Sequence, residues 1–204
     1  MQAHWRSVFE KKASSEVSWY QPHLELSLNM IANAGIRRGS RIIDVGGGDS
    51  TLVDDLLQRG FTEITVLDIA STAIARAKHR LGNARERITW RDGDILSVSL
   101  PNHFFGLWHD RAVFHFFVEE QDRRKYVSRA ANAIKPNGHL IIGTFAADGP
   151  ERCSGLSTMR YSAEALAQEF QHDFTLVESQ GELHRTPQGK DQKFTYCRFR
   201  RNPL

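Results

Sequence analysis

Three aspartates follow apolar runs in the first half of the sequence, and their spacing suits nucleoside chemistry. Asp44 precedes the glycine triplet Gly46–Gly48, Asp68 ends the run "EITVLD", and Asp94 lies in "DGDIL". Carboxylates placed in this way could accept hydrogen bonds from ribose hydroxyl groups and lie near the edge of a base. Because three carboxylates would repel phosphate groups, they favour a cationic nucleoside without a pyrophosphate.

The glycine triplet fits the common phosphate-binding motifs poorly. A P-loop requires lysine and then serine or threonine after its glycines, but Gly48 is followed by Asp49, Ser50 and Thr51. The dinucleotide fingerprint has a third glycine where Thr51 stands. A tight strand-to-helix turn without any ligand would explain the glycines alone, and a helix N-cap would explain one carboxylate. Neither explains three carboxylates together.

The elements that must position these residues alternate between strand-like and helical patterns, as in a parallel sheet covered on both faces. The predicted strands span 41–45, 63–69, 88–94, 105–110 and 139–145. The predicted helices span 22–35, 50–60, 71–82, 118–134 and 162–170, with Ser71 as an N-cap and Gly35, Gly60 and Gly82 at helix ends. The alternating tail, 174–184 and 192–200, predicts an antiparallel pair at the sheet edge.

Length and composition predict one domain over residues 1–204, with residues 1–21 as a candidate lid. Apolar residues form 40% of the chain, and no apolar run is long enough to cross a membrane. The mixed, charged N-terminus is unlike a signal peptide, so we expect a cytoplasmic protein. Two cysteines are too few for a disulfide framework or a thiolate zinc site. A net charge of +3 is weak evidence for nucleic-acid binding, so we expect no nucleic-acid partner. We also expect no bound metal.

The stretch from Ile42 to Phe145 resembles the class I S-adenosylmethionine (SAM)-dependent methyltransferases. "IIDVGGGDS" is similar to the first motif of that family, "VLDIA" to its ribose-binding segment, "GDIL" to its adenine segment and "LWHDRAVFHF" to the fourth-strand segment beside the substrate. Ser50 replaces the usual third glycine. The resemblance implies a doubly wound, Rossmann-like α/β sheet of seven strands in the order 3-2-1-4-5-7-6, with strand 7 antiparallel.

The resemblance also implies SAM as the cofactor and S-adenosyl-L-homocysteine (SAH) as the product. The residues that it implies for cofactor binding are Trp19, Tyr20, Asp44, Gly46, Gly47, Gly48, Ser50, Asp68, Ile69, Asp94, Ile95 and His109.

The end of the fourth strand supplies the candidates for catalysis, His109, Asp110 and Arg111. His109 or His115 could accept a proton, because imidazole titrates near neutrality, although a structural role is the alternative for each. Arg111 could contact an anionic substrate or pair with Asp110 in a structural network. The candidates for substrate binding are Arg111, His115, Cys153, Arg160, Tyr161 and His184, three of them in the long loop 148–161.

The segment "WHDRAVFHFFVEEQDRRKY" resembles the thiopurine and thiol S-methyltransferases. Asp110 and Arg111 match one motif of those enzymes, and Asp122, Arg123 and Tyr126 match a second. The resemblance implies a small nucleophilic acceptor such as a thiol or related chalcogen compound, which is our main hypothesis. A thiol pKa of about 8.5 would require little help to form the thiolate.

Two alternatives remain open at the level of sequence. The segments "SWYQPHLELS" and "GDSTLVDDLLQRGFTEITVLD" also resemble bacterial relatives of the lysine methyltransferases that act on translation elongation factors. This resemblance implies a protein lysine as the acceptor. A SAM-binding module without catalytic activity is the other alternative.

Overall fold

Nine strands and six α-helices alternate along residues 1–203, the part of the chain described by the computed structural model. The strands are β1 (Ile42–Val45), β2 (Ile64–Asp68), β3 (Ile88–Asp92), β4 (Phe105–Arg111), β5 (Ile134–Phe145), β6 (Arg152–Cys153), β7 (Leu156–Ser157), β8 (Phe174–Arg185) and β9 (Asp191–Arg201). The helices are α1 (Gln2–Lys11), α2 (Glu25–Asn33), α3 (Leu52–Gln58), α4 (Ser71–Leu81), α5 (Glu120–Ala133) and α6 (Ala163–Phe170).

Seven strands form one sheet in the order β3-β2-β1-β4-β5-β9-β8, and β6 pairs with β7 in a separate hairpin. Strands β1 to β5 pair in parallel, whereas β9 is antiparallel to both β5 and β8. The strand order implied by the resemblance is therefore confirmed, with β8 and β9 as the sixth and seventh strands. In register, Val45 lies opposite Leu67 on β2 and Asp110 on β4. The carboxyl ends of β1, β2 and β4 consequently meet at one edge of the sheet.

Both faces of the central strands are buried, which explains their continuous apolar sequences. On one face, the residues of β4 and β5 pack with α5 and α6 around Trp108, Tyr126 and Phe170. On the other face, they pack with α2 and α3 around Leu28 and Leu56. The alternation of side chains along β4 therefore decides which of its residues enter the α5 layer.

Element bounds differ from the predicted ones in several places, and part of the predicted loop 148–161 forms the β6–β7 hairpin. Helix α1 was not predicted as a helix. Strand β5 begins at Ile134 instead of residue 139, because Ile134 already pairs with Phe105 on β4, and the register shifts before His139, where Asn137 has φ of 62°. Ser71 lies inside α4, after the N-cap residue Ala70, whose N–H donates to Asp68 Oδ1 at 2.7 Å. The three predicted glycine stops are correct, with positive φ angles at Gly35, Gly60 and Gly82 that favour glycine. Within residues 1–203, no helix has the length and apolar character to cross a membrane.

Candidate cofactor and acceptor site

The turn between β1 and α3 requires glycine at each position of the triplet. Gly46 has φ of 72°, a left-handed conformation that favours glycine. A Cβ atom on Gly47 would lie 2.2 Å from Asp44 Oδ2, and a Cβ atom on Gly48 would lie 2.6 Å from Asp68 Oδ2. The missing side chains thus let the turn lie directly on two buried carboxylates.

Asp68, at the end of β2, is 7% exposed and fastens the turn to the sheet. Its Oδ2 accepts the N–H of Gly48 at 3.0 Å, and its Oδ1 accepts the N–H of Ala70 at 2.7 Å. Burial raises the pKa of Asp68 to about 6. The hydrogen bonds from the two backbone N–H groups lower this pKa, and the negative charges of Asp44 and Asp92 raise it slightly. Each oxygen retains a lone pair for a further donor.

Asp44, on β1, is held by a buried chain of hydrogen bonds. Its Oδ1 lies 2.7 Å from His109 Nδ1, and His109 Nε2 lies 2.9 Å from Ser27 Oγ on α2. Both ring nitrogens of His109 are thus engaged, which argues against its predicted role as a proton acceptor in catalysis. Asp44 Oδ2 is buried and has no hydrogen-bond partner among residues 1–203, and it borders the glycine turn. An unpartnered buried carboxylate oxygen favours a cationic ligand group.

Two adjoining cavities lie at this edge of the sheet. The predicted cofactor residues that line the first are Trp19, Gly46, Asp68, Ile69, Asp94 and Ile95. Those that line the second are Trp19, Tyr20, Asp44, Gly46, Gly47, Ser50 and His109. Gly48 lies beneath them, where its N–H binds Asp68. Five residues border both cavities, namely Phe9, Trp19, Val45, Gly46 and Arg111.

Helix α1 and the segment after it cover these cavities. Trp5 and Phe9 project from α1 toward Trp19, with ring centroids 5.7 and 6.0 Å from the Trp19 ring. Arg76 on α4 donates to the carbonyl groups of Phe9 and Lys12. The spacing of Trp5 and Phe9, one helical turn apart, was the sequence signal that could have identified α1.

Asp49 and Val113 are further residues of the site that the sequence did not identify, whereas Phe116 and Phe117 were predicted as core residues, one of which could line the acceptor pocket. Asp49 Oδ2 accepts from the Ser14 hydroxyl at 2.5 Å and thereby ties the covering segment to the start of α3. Val113, Phe116 and Phe117 line the first cavity. The polar contact of Ser14 depends on long-range packing and has no counterpart in a local sequence pattern.

Arg111 borders both cavities, but its guanidinium group is already engaged. It donates to the Tyr196 hydroxyl at 2.8 Å, to the Trp19 carbonyl at 3.0 Å and to Glu182 at 3.4 Å. It also lies 4.5 Å from the centroid of the Phe194 ring. The network expected with Asp110 is wrong, because the partners of Arg111 come from β8, β9 and the N-terminal segment.

Asp110 points into the opposite face of the sheet and borders neither cavity. Its carboxylate accepts from the Tyr126 hydroxyl at 2.5 Å and from the N–H groups of Val113 and Phe114 at 2.9 and 3.1 Å. The geometry therefore argues against contact between Asp110 and reacting atoms. Tyr126, matched to a thiol methyltransferase motif, is also fully buried in this core. Neighbouring side chains alternate across a strand, so Asp110 cannot share the cavity side with His109 and Arg111.

Asp122 and Arg123, the other residues matched to that motif, belong to α5 and border neither cavity. Arg123 pairs with Glu169 on α6 at 2.8 Å and donates to the carbonyl groups of Phe117 and Val118. These contacts fasten α5 to its neighbours.

Of the remaining substrate candidates, only Cys153 lines a cavity. Burial raises the pKa of the Cys153 thiol to about 11, so it stays protonated at neutral pH. His115 is fully buried between Phe116 and Phe145, and burial, with the nearby charge of Arg111, lowers its pKa to about 3. It is therefore neutral, and it borders neither cavity.

The other three candidates lie outside the cavities. Tyr161 is buried in the α5 and α6 layer. Arg160 is exposed and pairs with Glu151 at 3.3 Å. His184 on β8 is buried, and its Nε2 lies 2.7 Å from the Ser18 carbonyl, so it holds the N-terminal segment. The structure thus brings together the predicted cofactor residues but disperses most of the predicted substrate residues.

Residues 43–142, which run from β1 to β5, match the family described as "Methyltransferase domain". This chain belongs to the class I SAM-dependent methyltransferases.

Similar proteins include two groups of lysine methyltransferases. This chain is 22% identical over 119 residues to the eEF1A lysine and N-terminal methyltransferase of Mus musculus. The matched region is 58% of this chain and 17% of the mouse protein. It is 21% identical over 193 residues to the EEF1A lysine methyltransferase 2 of Homo sapiens, covering 86% of this chain and 74% of that protein. The chain therefore spans about a fifth of the length of the first group.

Solved structures share the fold over nearly the whole methyltransferase. One of these structures concerns the conversion of a disulfide bond into a thioacetal group during echinomycin biosynthesis. It has a TM-score of 0.77 at 21% identity, and the match covers 99% of this chain and 93% of that chain. The 1,6-didemethyltoxoflavin-N1-methyltransferase of Burkholderia thailandensis, bound to SAH, has a TM-score of 0.72 at 19% identity. The match covers 98% of this chain and 84% of that chain.

The residues of the methyltransferase fit SAM. The unpartnered Oδ2 of Asp44 suits the cationic amino group of the cofactor. The free lone pairs of Asp68 suit ribose hydroxyl groups, and Asp94 with Ile95 lies where the first cavity could take the adenine. The glycine turn leaves the space that a side chain would fill.

Proposed function

We propose that this methyltransferase modifies an amino group on a protein, namely a lysine side chain or an N-terminal amine. Bound SAM would supply an electrophilic methyl group. The names of the similar curated proteins support a protein acceptor over the small acceptor expected from the sequence. An elongation factor 1A is therefore the first acceptor to examine.

The observation that carries this proposal is the aromatic wall of the first cavity. Five aromatic side chains line it beside Arg111, namely Trp5, Phe9, Trp19, Phe116 and Phe117. Aromatic faces attract ammonium and methylammonium groups, and apolar walls suit the aliphatic stem of a lysine. Burial among such residues also lowers the pKa of an amine, which favours the neutral, nucleophilic form. The cavity could thus prepare an amine without a dedicated base.

The test is incubation with labelled SAM, using purified elongation factor 1A and a whole-cell protein extract as acceptors. We expect label that is recovered with protein after acid precipitation, that migrates as a protein band and that mass spectrometry locates on a lysine or N-terminus. Asp68→Ala, which removes a predicted cofactor contact, should reduce the labelling at a limiting SAM concentration. Label confined to small molecules would contradict the proposal.

A second candidate is the small thiol or chalcogen acceptor, and it too has an observation in its favour. The two side chains predicted to take part in proton removal are unsuited to it, since His109 is bonded at both nitrogens and Asp110 borders neither cavity. A thiolate forms near neutral pH and needs no base. Assays with a panel of thiols, selenols and thiopurines would detect SAH production. SAH binding without turnover on any acceptor would instead favour a non-catalytic module.

A further inference from the structure

The turn after β4, residues 111–113, forms a wall of the first cavity and packs against the glycine turn at Gly46. Arg111, Ala112 and Val113 all line that cavity. Ala112 has φ of 69°, an uncommon conformation for a residue with a side chain, and its N–H donates to the Gly143 carbonyl at 2.8 Å. A Cβ atom on Gly46 would lie 2.1 Å from Val113 Cγ2. The position of Val113 therefore matters directly to the shape of the cofactor site.

The buried carboxylate of Asp110 stabilises this turn through hydrogen bonds to its backbone. Asp110 is fully buried, and both of its oxygens accept backbone N–H groups of the turn, from Val113 at 2.9 Å and from Phe114 at 3.1 Å. Its Oδ2 also accepts the Tyr126 hydroxyl at 2.5 Å. The Tyr126 oxygen in turn accepts the Trp108 Nε1–H at 2.9 Å. Hydrogen bonds to a buried carboxylate are stronger than neutral ones, so this chain can fix a strained turn.

We propose that Asp110 and Tyr126 are positioning residues that hold Val113 against Gly46 and thereby set the affinity of the methyltransferase for its nucleoside cofactor. Neither side chain touches the cofactor cavities, and both act through the backbone of the turn. The inference rests on the cofactor site alone and holds for either acceptor under the proposed function.

Two buried substitutions separate positioning from general core stability. Tyr126→Phe keeps the ring but removes the hydroxyl that donates to Asp110. Trp108→Phe is the matched control, because it removes the donor on the other side of the Tyr126 oxygen and leaves the bond to Asp110 in place. Tyr126→Phe loses both hydrogen bonds of the Tyr126 oxygen, whereas Trp108→Phe loses only the one from Trp108, so the bond to Asp110 is the difference between the two variants. Both variants should lose folding stability.

Calorimetric titration with SAH, the stable product, needs no acceptor. We expect Tyr126→Phe to weaken SAH binding about fivefold, the loss of roughly one hydrogen bond, while Trp108→Phe stays within about twofold of the parent. Amide hydrogen exchange without ligand should accelerate at Val113 and Phe114 in Tyr126→Phe only. Equal losses of SAH affinity in the two variants, or unchanged affinity in a folded Tyr126→Phe protein, would overturn the proposal.

A pH profile supplies a readout that a purely structural role would not affect. Burial raises the pKa of Asp110 to about 7, although the hydrogen bonds from Tyr126 and from the N–H groups of the turn lower it. The ionisable groups beside it are Tyr126 on α5 and His109 on β4, whereas its strand partners Val45 and Ile142 carry none. Protonation of Asp110 would remove an acceptor from the turn, so SAH affinity should fall as pH decreases from about 8 to about 6.5. Asp110→Asn should remove that dependence, and its persistence in the variant would refute the assignment.

Discussion

Asp68 is a single residue with both a structural and a predicted binding role. Its two oxygens fasten the turn at Gly48 and the start of α4 at Ala70, yet it faces the first cavity with lone pairs still free. The two backbone donors that depend on it imply a substantial contribution to folding as well.

Asp68→Ala should therefore affect the cofactor and the fold together. We expect SAM affinity to fall at least about tenfold, because charge-assisted hydrogen bonds to the ribose are lost. The free energy of unfolding should also fall by about 1–3 kcal/mol, since two backbone donors lose their acceptor. Calorimetry and denaturant unfolding measure the two effects. Asp54→Ala, which removes a carboxylate that pairs with Arg80 outside the cavities, is the control, and unchanged SAM affinity in folded Asp68→Ala would contradict the assignment.

The raised pKa of Asp68, about 6, predicts opposite pH effects on the apo protein and on binding. The folded state binds the proton more tightly than the unfolded chain, so this residue favours folding at low pH, and that contribution is lost as pH rises from about 4 to about 6. SAM affinity should increase over the same range, because the ionised carboxylate is the better acceptor. Thermal unfolding and titration at several pH values test both signs. Asp68→Asn should flatten both profiles.

The comparison of Asp68 with Asp110 explains how far the sequence could identify the site. Both residues are aspartates near the ends of apolar strands, and the sequence predicts a cavity role for each. Strand β2 ends at Asp68, whereas β4 continues to Arg111, so the alternation of side chains turns Asp110 toward α5. The cofactor side could be predicted because it depends on strand ends and glycines. The acceptor side depends on strand register and loop conformation, which local patterns do not encode.

At the scale of elements, α1 shows why the cover was not predicted as a helix. A helix of 10 residues is marginal in isolation, so its stability must come from packing. Here the packing is tertiary, through Phe9 against Ala70 and Ala73 of the α4 region. The side-chain hydrogen bonds at the C-terminal end of α1 are donated by Arg76, which is distant in sequence.

Arg76→Ala should loosen this cover without changing the cofactor contacts of the sheet. We expect faster SAM association and dissociation, because α1 would open more often and the cofactor lies beneath it. Stopped-flow measurements of Trp5 and Trp19 fluorescence would report both rates. Arg85→Ala, which removes an exposed pair with Glu86, should leave the rates unchanged. Equal rates in Arg76→Ala and the parent would exclude α1 as the barrier to exchange.

At the scale of the whole molecule, the parallel strand order brings residues from distant parts of the chain to one edge of the sheet. The fold resemblance was sufficient to predict this arrangement, because carboxyl ends of parallel strands meet at a topological switch point. The N-terminal segment closes that edge through three backbone carbonyl groups that accept from the sheet side. These are Glu16 from Gln188, Ser18 from His184 and Trp19 from Arg111. Ligand binding should therefore couple the segment to the sheet.

Saturation with SAH should stabilise the entire fold and protect α1 most strongly. A ligand at one hundred times its Kd adds about 2.7 kcal/mol to the free energy of unfolding, which for a chain of this size raises Tm by about 5–10 °C. Hydrogen exchange should slow in α1 and in residues 14–21, because the ligand lies between them and the sheet, while the outer strand β8 changes less. A tenfold weaker affinity in Asp68→Ala should remove about half of the Tm shift at the same SAH concentration, and a greater loss of affinity should remove more. A full Tm shift without added protection in α1 would show that the cofactor binds without engaging the cover.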